Sequence, residues 1–307
     1  MRKFSIAIHG GAGPRLKGTT TAEKEQEYRL ALKHALKSGS QILENGGTSV
    51  DAAEQSVIAL EDCPLFNAGK GSVYTAEGIH ELDASIMDGK TLSAGAVAQL
   101  RGIKNPVSLA RAVMEQSEHV FLAADGAIRF AQQLNYELLE PEYFAVAARY
   151  EQWLAAQNDP PDGVSAVKPG EQKFGTVGAV ACDLAGNIAA ATSTGGILNK
   201  RFGRVGDSPI IGSGNYANNK TCAVSCTGSG EFFIRGVVAY DVACLIEHKG
   251  MSLQAATKEV IHKRILEING DGGLIAVDVK GNIAMPFNTR RMYRACVSSD
   301  SALEVYI

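Results

Sequence analysis

The sequence has no long hydrophobic run and no excess of charge of either sign. No apolar stretch approaches the roughly 18–20 residues that a membrane helix needs, so we expect no membrane partner. The 30 Lys and Arg residues face 33 Asp and Glu residues, and without a basic stripe we expect no nucleic-acid partner. The first apolar run is too short for a signal peptide. These features predict a cytoplasmic protein.

Familiar metal and nucleophile motifs are also missing. The six cysteines are scattered, and Cys222 and Cys226 lack the second close pair that a zinc site would need. Reduced, buried thiols are the expectation, in agreement with the cytoplasmic prediction. Neither the G-x-S-x-G of serine hydrolases nor the H-E-x-x-H of zinc proteases occurs.

Glycine is the residue in excess, at 33 where average usage predicts about 21. Glycine allows positive φ and close backbone approach, so its clusters predict tight strand ends and a pocket lined by main chain. The clusters lie at 10–13, 67–72, 194–196, 212–215 and 227–230.

The apolar pattern predicts strands in hairpins and helices in separate groups, an order typical of layered antiparallel sheets covered by helices. A proline-rich segment at 158–173 with almost nothing to bury predicts a linker or mobile loop. Strands are predicted at 4–8, within 72–100, and at 176–183, 188–194 and 274–289. Helices are predicted at 22–45, 48–60, 105–116, 124–134, 141–157, 231–248 and 252–267.

Longer motifs run in order along nearly the whole chain. They are IAIHGGAG (6–13), LEDCPLFNAGKGSVYT (60–75), HELDASIMDG (80–89), GAVAQLRGIKNPVSLARAVME (95–115), GTVGAVACDLAGNIAAATSTGG (175–196), GRVGDSPIIGSGNYANN (203–219) and SCTGSGEFFIR (225–235). With them the sequence resembles the plant-type L-asparaginase and isoaspartyl aminopeptidase family of N-terminal nucleophile hydrolases. The resemblance implies an αββα sandwich, here a single domain over residues 1–307, made as an inactive precursor.

The family resemblance implies that the precursor cuts itself between Gly175 and Thr176. The products would be an α subunit, 1–175, with a mobile tail at 158–175, and a β subunit, 176–307. An N-terminal threonine carries a hydroxyl nucleophile and a free α-amine in one residue. Because such an amine titrates near pH 7.7–8.0, it can serve as the base for its own hydroxyl, which accounts for the missing histidine triad.

The same resemblance assigns further residues around the nucleophile. Thr194 matches a second active-site threonine, and Asn67 matches a polar neighbour of the nucleophile. Thr227 and Gly228 match an oxyanion-hole pair just before a predicted helix, whose N-terminus favours developing negative charge. On residue type alone, these positions are ordinary strand ends and turns.

Arg204 and Asp207 match a clamp for a substrate that carries both a free α-carboxylate and a free α-amine, and the backbone at Gly230 would face it. Arginine offers a two-pronged fork to a carboxylate, and aspartate accepts an ammonium group. On residue type alone the pair would be an exposed ion pair. The family also binds a structural sodium ion, and no cofactor takes part in catalysis. The sodium ligands would be the main-chain carbonyls of Leu60, Glu61, Cys63, Phe66, Ala68 and Lys70.

The resemblance predicts a hydrolase for L-asparagine and β-aspartyl dipeptides, assembled as (αβ)2. A glycosylasparaginase-like hydrolase and an uncleaved, catalytically silent binding protein are the alternatives. One departure concerns the segment FNTRRMYRA, where family members usually carry a small residue before the methionine. Arg290 and Arg291 stand there instead, which makes the shape of the site's mouth and the substrate preference open questions.

Overall fold

Two β-sheets lie face to face in residues 3–13, 21–157 and 175–307, the part of the chain that the computed structural model describes. The larger sheet has the order β12-β11-β1-β5-β6-β2-β3-β4, and the smaller has the order β10-β9-β8-β7. Neighbouring strands are antiparallel except β3 and β4. The strands are β1 (Ser5–Gly13), β2 (Leu82–Asp88), β3 (Ala94–Leu100), β4 (Phe121–Ala123), β5 (Val177–Cys182), β6 (Ile188–Thr194), β7 (Asn215–Ala217), β8 (Ala223–Gly228), β9 (Gly272–Val277), β10 (Ile283–Ala284), β11 (Arg291–Ser298) and β12 (Ser301–Tyr306).

Helices cover the outer face of each sheet. The first group, apart from its last member, packs on the larger sheet and the second on the smaller, each over its own apolar core. The first group is α1 (Ala22–Glu44), α2 (Ser49–Glu61), α3 (Pro106–Gln116), α4 (Ala124–Gln133) and α5 (Ala147–Gln157). The second is α6 (Gly230–Gly236), α7 (Val238–Lys249), α8 (Leu253–Glu259) and, after a π-helical turn at Val260–Arg264, α9 (Ile265–Glu267). This arrangement confirms the predicted αββα sandwich.

A third apolar layer fills the space between the sheets, and many of its members are small. It contains Ala7, Ala12, Ala190, Ala217 and Ala223, with larger side chains such as Val180 and Ile275. β5 is buried along its whole length, as expected for a strand covered on both faces. Because alanine is the commonest residue in this layer, polar side chains from one sheet can reach the other.

Several predicted boundaries are confirmed, and others are wrong for identifiable reasons. The helix predicted at 48–60 is α2, and Thr48 caps it, with the Asp51 amide donating to its hydroxyl at 3.1 Å. β1 does not stop at residue 8 but continues through the glycines, because a bulge between His9 and Gly11 lets the pairing resume. The helix predicted at 231–248 is two helices, broken where Val237 adopts a left-handed φ of 46°.

Other differences concern short or interrupted elements. Within 72–100 only β2 and β3 are strands, and of 274–289 only β9 and the two residues of β10 are. The side chain of Asn105, the residue before α3, makes no cap hydrogen bond, and its amide donates to Glu61 and Asp62. The predicted linker at 158–173 lies outside the described residues. No helix in the described ranges is long and apolar enough to cross a membrane.

Candidate active site

Thr176 lies immediately before β5, at the edge where β6 also ends, and it is 8% exposed. Its hydroxyl lies 3.3 Å from the hydroxyl of Thr194 and 3.3 Å from that of Ser208. The Gly196 amide donates to Thr194 at 3.0 Å, which fixes that hydroxyl from the other side. The first site predicted from the sequence, Thr176 with Thr194, is therefore one hydrogen-bonded cluster, and Ser208 is a member that the sequence analysis missed.

Asn67 holds the loop that follows Thr194. Its side-chain amide donates to the carbonyl of Gly196 at 2.7 Å, and its main-chain carbonyl accepts from the amide of Gly195 at 3.0 Å. Its side-chain oxygen accepts from Val73 at 3.0 Å. Asn67 is buried and contributes to the site by fixing this loop.

Two glycines touch on the upstream side of Thr176. An ideal Cβ on either Gly11 or Gly175 would overlap the backbone of the other, so a side chain at either position is excluded. Next to Gly11, the Ala12 amide donates to the Thr227 hydroxyl at 3.1 Å. Thr227 therefore lies on the side of the site where the Gly175–Thr176 bond is.

Gly228 follows Thr227 at the end of β8, two residues before α6 begins at Gly230. An ideal Cβ on Gly228 would lie 2.7 Å from the Cα of Gly272, so the close approach of this neighbouring backbone requires glycine. The predicted oxyanion-hole pair thus sits at a strand end that is packed too tightly to hold a side chain at residue 228.

Arg204 and Asp207 meet over Gly230. An ideal Cβ on Gly230 would lie 2.8 Å from Arg204 Nη2 and 2.9 Å from Asp207 Oδ1, so only glycine leaves this space open. Nε and Nη2 of Arg204 donate to the two carboxylate oxygens of Glu231, at 2.9 and 3.1 Å. Arg204 therefore already has an anionic partner, which the sequence analysis did not predict.

Asp207 is buried without full hydrogen bonding. Its Oδ2 has no hydrogen-bond partner within the described residues, and its side chain is in a residue only 3% exposed. Burial raises the pKa of this carboxyl from 3.8 to about 7, against the opposing effect of the Arg204 cation. A buried carboxylate oxygen without a hydrogen-bond partner offers an acceptor for a cationic group of a ligand.

The loop predicted to bind sodium is closely packed around its carbonyl groups. An ideal Cβ on Gly69 would lie 2.5 Å from the Glu61 carbonyl oxygen, and one on Gly71 would overlap that of Phe66. Arg149 donates to the neighbouring carbonyls of Gly71 and Leu65, at 3.0 and 3.2 Å. The main chain here forms a cradle of oxygens that a side chain would fill, which fits a hard cation.

Arg290 and Arg291 do not carry the backbone strain that a glycine would relieve, since neither has positive φ. Arg291 pairs with Gly13 across β1 and β11, and its Nη1 donates to the hydroxyl of Tyr293 at 2.7 Å. Met292, between them in sequence, points into the layer between the sheets. The Arg291 guanidinium is therefore held on the helix side of the larger sheet.

A buried histidine completes the surroundings of Thr176. Nδ1 of His9 lies 2.9 Å from the Thr176 carbonyl oxygen, and its Nε2 lies 3.0 Å from the hydroxyl of Ser225. The sequence analysis quoted this histidine within IAIHGGAG but gave it no role. The two hydrogen-bond partners of His9 lie 167 and 216 residues away in the sequence, so no local sequence pattern indicates these contacts.

Known proteins are similar to this chain over nearly its whole length. A family model described as asparaginase matches residues 2–307. A protein of Escherichia coli K12 named isoaspartyl peptidase is 51% identical over 298 residues, covering 96% of this chain and 93% of the relative. A probable isoaspartyl peptidase/L-asparaginase 2 of Arabidopsis thaliana is 40% identical, covering 100% and 99%. A plant-type L-asparaginase of Thermococcus kodakarensis is 40% identical, covering 94% of each chain.

The raised pKa of Asp207 predicts a pH-dependent stability. The unfolded carboxyl ionises near pH 3.8 while the folded one keeps its proton to about pH 7, so the folded state binds more protons in between. The free energy of unfolding should therefore fall as the pH rises through this window. Asp207→Asn should remove that slope and be more stable above pH 7 by about 1–3 kcal/mol.

Urea unfolding of Asp207→Asn and its parent measures the difference, with both in a Thr176→Ala background so that a single uncut chain unfolds. The stability difference should grow from about zero near pH 4 to its full value near pH 8. A difference that stays constant with pH would contradict the assigned burial cost.

Proposed function

Since the chain belongs to the asparaginase family, we propose that it is a threonine amidohydrolase that cuts itself and then hydrolyses L-asparagine and β-aspartyl dipeptides. The observation that carries the proposal is the buried Thr176 hydroxyl, within hydrogen-bond distance of Thr194 and Ser208 and directly after the closely packed Gly175. The relatives' names, isoaspartyl peptidase and L-asparaginase, favour this hydrolase over a silent binding protein.

Maturation is the first reaction. The Thr176 hydroxyl attacks the carbonyl carbon of Gly175, the peptide bond breaks as an ester forms, and water hydrolyses the ester. The products are a carboxylate at Gly175 and a free α-amine at Thr176. Before this step the nitrogen of Thr176 is an amide and cannot act as a base, which makes the precursor inactive toward other substrates.

Hydrolysis of substrate then uses both groups of the new N-terminus. The α-amine takes the proton of the Thr176 hydroxyl as the oxygen attacks the side-chain carbonyl of the substrate. The oxyanion that forms is bound by Thr227 and Gly228. The ammonium returns its proton to the departing amine, and water releases aspartate from the acyl-enzyme. The neighbouring hydroxyls of Thr194 and Ser208 keep the nucleophile oriented.

The clamp at Gly230 selects the aspartyl part of the substrate. Asp207 would pair with the substrate ammonium, which suits a buried carboxylate oxygen without a partner among the described residues. Arg204 would bind the α-carboxylate while Glu231 holds its guanidinium in place. Both ammonia and an amino acid can be the departing group, since the clamp binds neither.

A sodium ion in the loop over residues 60–70 would be structural. The oxygen cradle around Gly69 and Gly71 supports it, because carbonyl oxygens are ligands for hard cations. The ion would stiffen the loop that carries Asn67. No catalytic step uses it.

Assembly and location are further parts of the proposal. Family resemblance supports an (αβ)2 assembly of two cleaved units, whose mass light scattering would measure. A cytoplasmic location is supported by the six cysteines, which are all free thiols.

One prediction of the proposed function concerns self-cleavage. Purified wild-type protein should give two chains in equal amount, of 175 residues and 307 − 175 = 132 residues. Thr176→Ala should stay a folded single chain, because only one hydroxyl at the start of a strand is lost. Thr176→Ser, which keeps a hydroxyl and an amine, should still cut. Intact-mass spectrometry decides, and a Thr176→Ala chain cut at the same bond would contradict the assigned nucleophile.

Another prediction concerns the clamp. Arg204→Ala should lower kcat/KM for L-asparagine by roughly 100- to 1,000-fold, as expected when the cationic partner of the substrate carboxylate is removed. Self-cleavage should continue, since the Gly175–Thr176 bond has no free α-carboxylate to bind. The exposed Arg201 in the same loop is the matched control, and Arg201→Ala should change kcat/KM little. Full activity of Arg204→Ala toward L-asparagine would show that Arg204 does not bind the substrate.

A further inference from the structure

Backbone pairing between β1 and β5 ends before it reaches the nucleophile. The last paired residues are His9 and Gly178, and beyond them β1 is interrupted by its bulge. Beyond this point a side-chain hydrogen bond connects the two segments, since Nδ1 of His9 lies 2.9 Å from the Thr176 carbonyl oxygen. Chain ends fray unless they are tied down, and self-cleavage makes Thr176 a chain end.

The imidazole has one defined protonation state. It is completely buried, and burial lowers the pKa of His9 to about 3, so the ring is neutral near pH 7. A carbonyl oxygen only accepts, so Nδ1 carries the proton and Nε2 is left as an acceptor. The Ser225 hydroxyl is therefore the donor to Nε2, at 3.0 Å, and the Thr192 hydroxyl lies 2.7 Å from that of Ser225.

Gly178 leaves the space in which this bond forms. An ideal Cβ on Gly178 would lie 2.5 Å from Nε2 of His9 and would overlap the Ser225 hydroxyl. Glycine is therefore required at position 178 for Ser225, in β8 of the smaller sheet, to reach His9. The imidazole is held from both sheets and cannot turn without losing a hydrogen bond.

We propose that His9 is a positioning residue for the nucleophile: its Nδ1–H fixes the Thr176 carbonyl and so the orientation of that residue's hydroxyl and amine. This inference rests on the proposed function. After cleavage His9 remains in the chain of residues 1–175 while Thr176 begins the other. The bond then joins two chains and limits rotation of the N-terminal residue about its Cα–C bond.

Two substitutions of His9 by amide side chains separate a positioning role of this residue from a role in packing alone. In His9→Asn the side-chain amide nitrogen can take the place of Nδ1, whereas in His9→Gln it reaches the place of Nε2. In the fully cleaved full-length protein, His9→Asn should keep kcat for L-asparagine within about threefold of wild type. His9→Gln should lower kcat by roughly 10- to 100-fold with little change in KM, because the clamp is intact.

Ser225→Ala provides an independent test that leaves the histidine in place and applies even if neither His9 variant matures. Without the donor to Nε2, the Nδ1–H form is less favoured, and kcat should fall by roughly 3- to 10-fold at constant KM. Ser5→Ala is the matched control, since Ser5 is also fully buried and its hydroxyl has no partner in the described part of the chain.

The outcomes separate the two levels of the proposal. Three results would each overturn the positioning role while leaving the proposed function intact. They are an equal loss of kcat in His9→Asn and His9→Gln, a rise in KM without a fall in kcat in His9→Gln, and an unchanged kcat in Ser225→Ala. A wild-type protein that neither cuts itself nor hydrolyses asparagine would overturn both.

Discussion

The close approach of the two sheets is the constraint on which the site depends. Small side chains line much of the layer between them, so hydroxyls from both sheets meet within hydrogen-bond distance. Ser225 of the smaller sheet reaches Thr192 of the larger at 2.7 Å, and Ala12 of the larger binds Thr227 of the smaller at 3.1 Å. A bulkier layer would separate Thr176 from Thr227 and Gly228, the residues proposed to bind the oxyanion.

The folded site also shifts the pKa values of two titratable groups. Burial leaves His9 neutral and raises the pKa of Asp207 to about 7. The first arrangement suits a fixed hydrogen-bond donor, and the second suits a receptor for a cation. Both are stable because the surrounding cores are extensive and the polar atoms of His9 are paired. Within the described residues, Oδ2 of the Asp207 carboxylate has no hydrogen-bond partner, where a substrate would supply one.

Sequence reasoning reached the layered fold because strand and helix patterns are local. The Thr48 cap and the helix of α1 follow from side chains a few residues apart. It missed the break at Val237, since a left-handed valine is set by packing and not by its own preference. Family resemblance supplied Thr176 and its partners. Neither approach found Ser208 or Ser225, because these serines meet their partners only through the packing of the two sheets.

The central claim is that Thr176, once N-terminal, becomes covalently bound to the aspartyl group of the substrate. Rapid acid quenching during turnover of a β-aspartyl dipeptide, followed by intact-mass and fragment analysis, tests it directly. The account predicts that part of the 176–307 chain gains the mass of one aspartyl group, and that fragments place it on Thr176. A transient adduct on another residue, or turnover without any adduct under conditions where deacylation limits the rate, would contradict it.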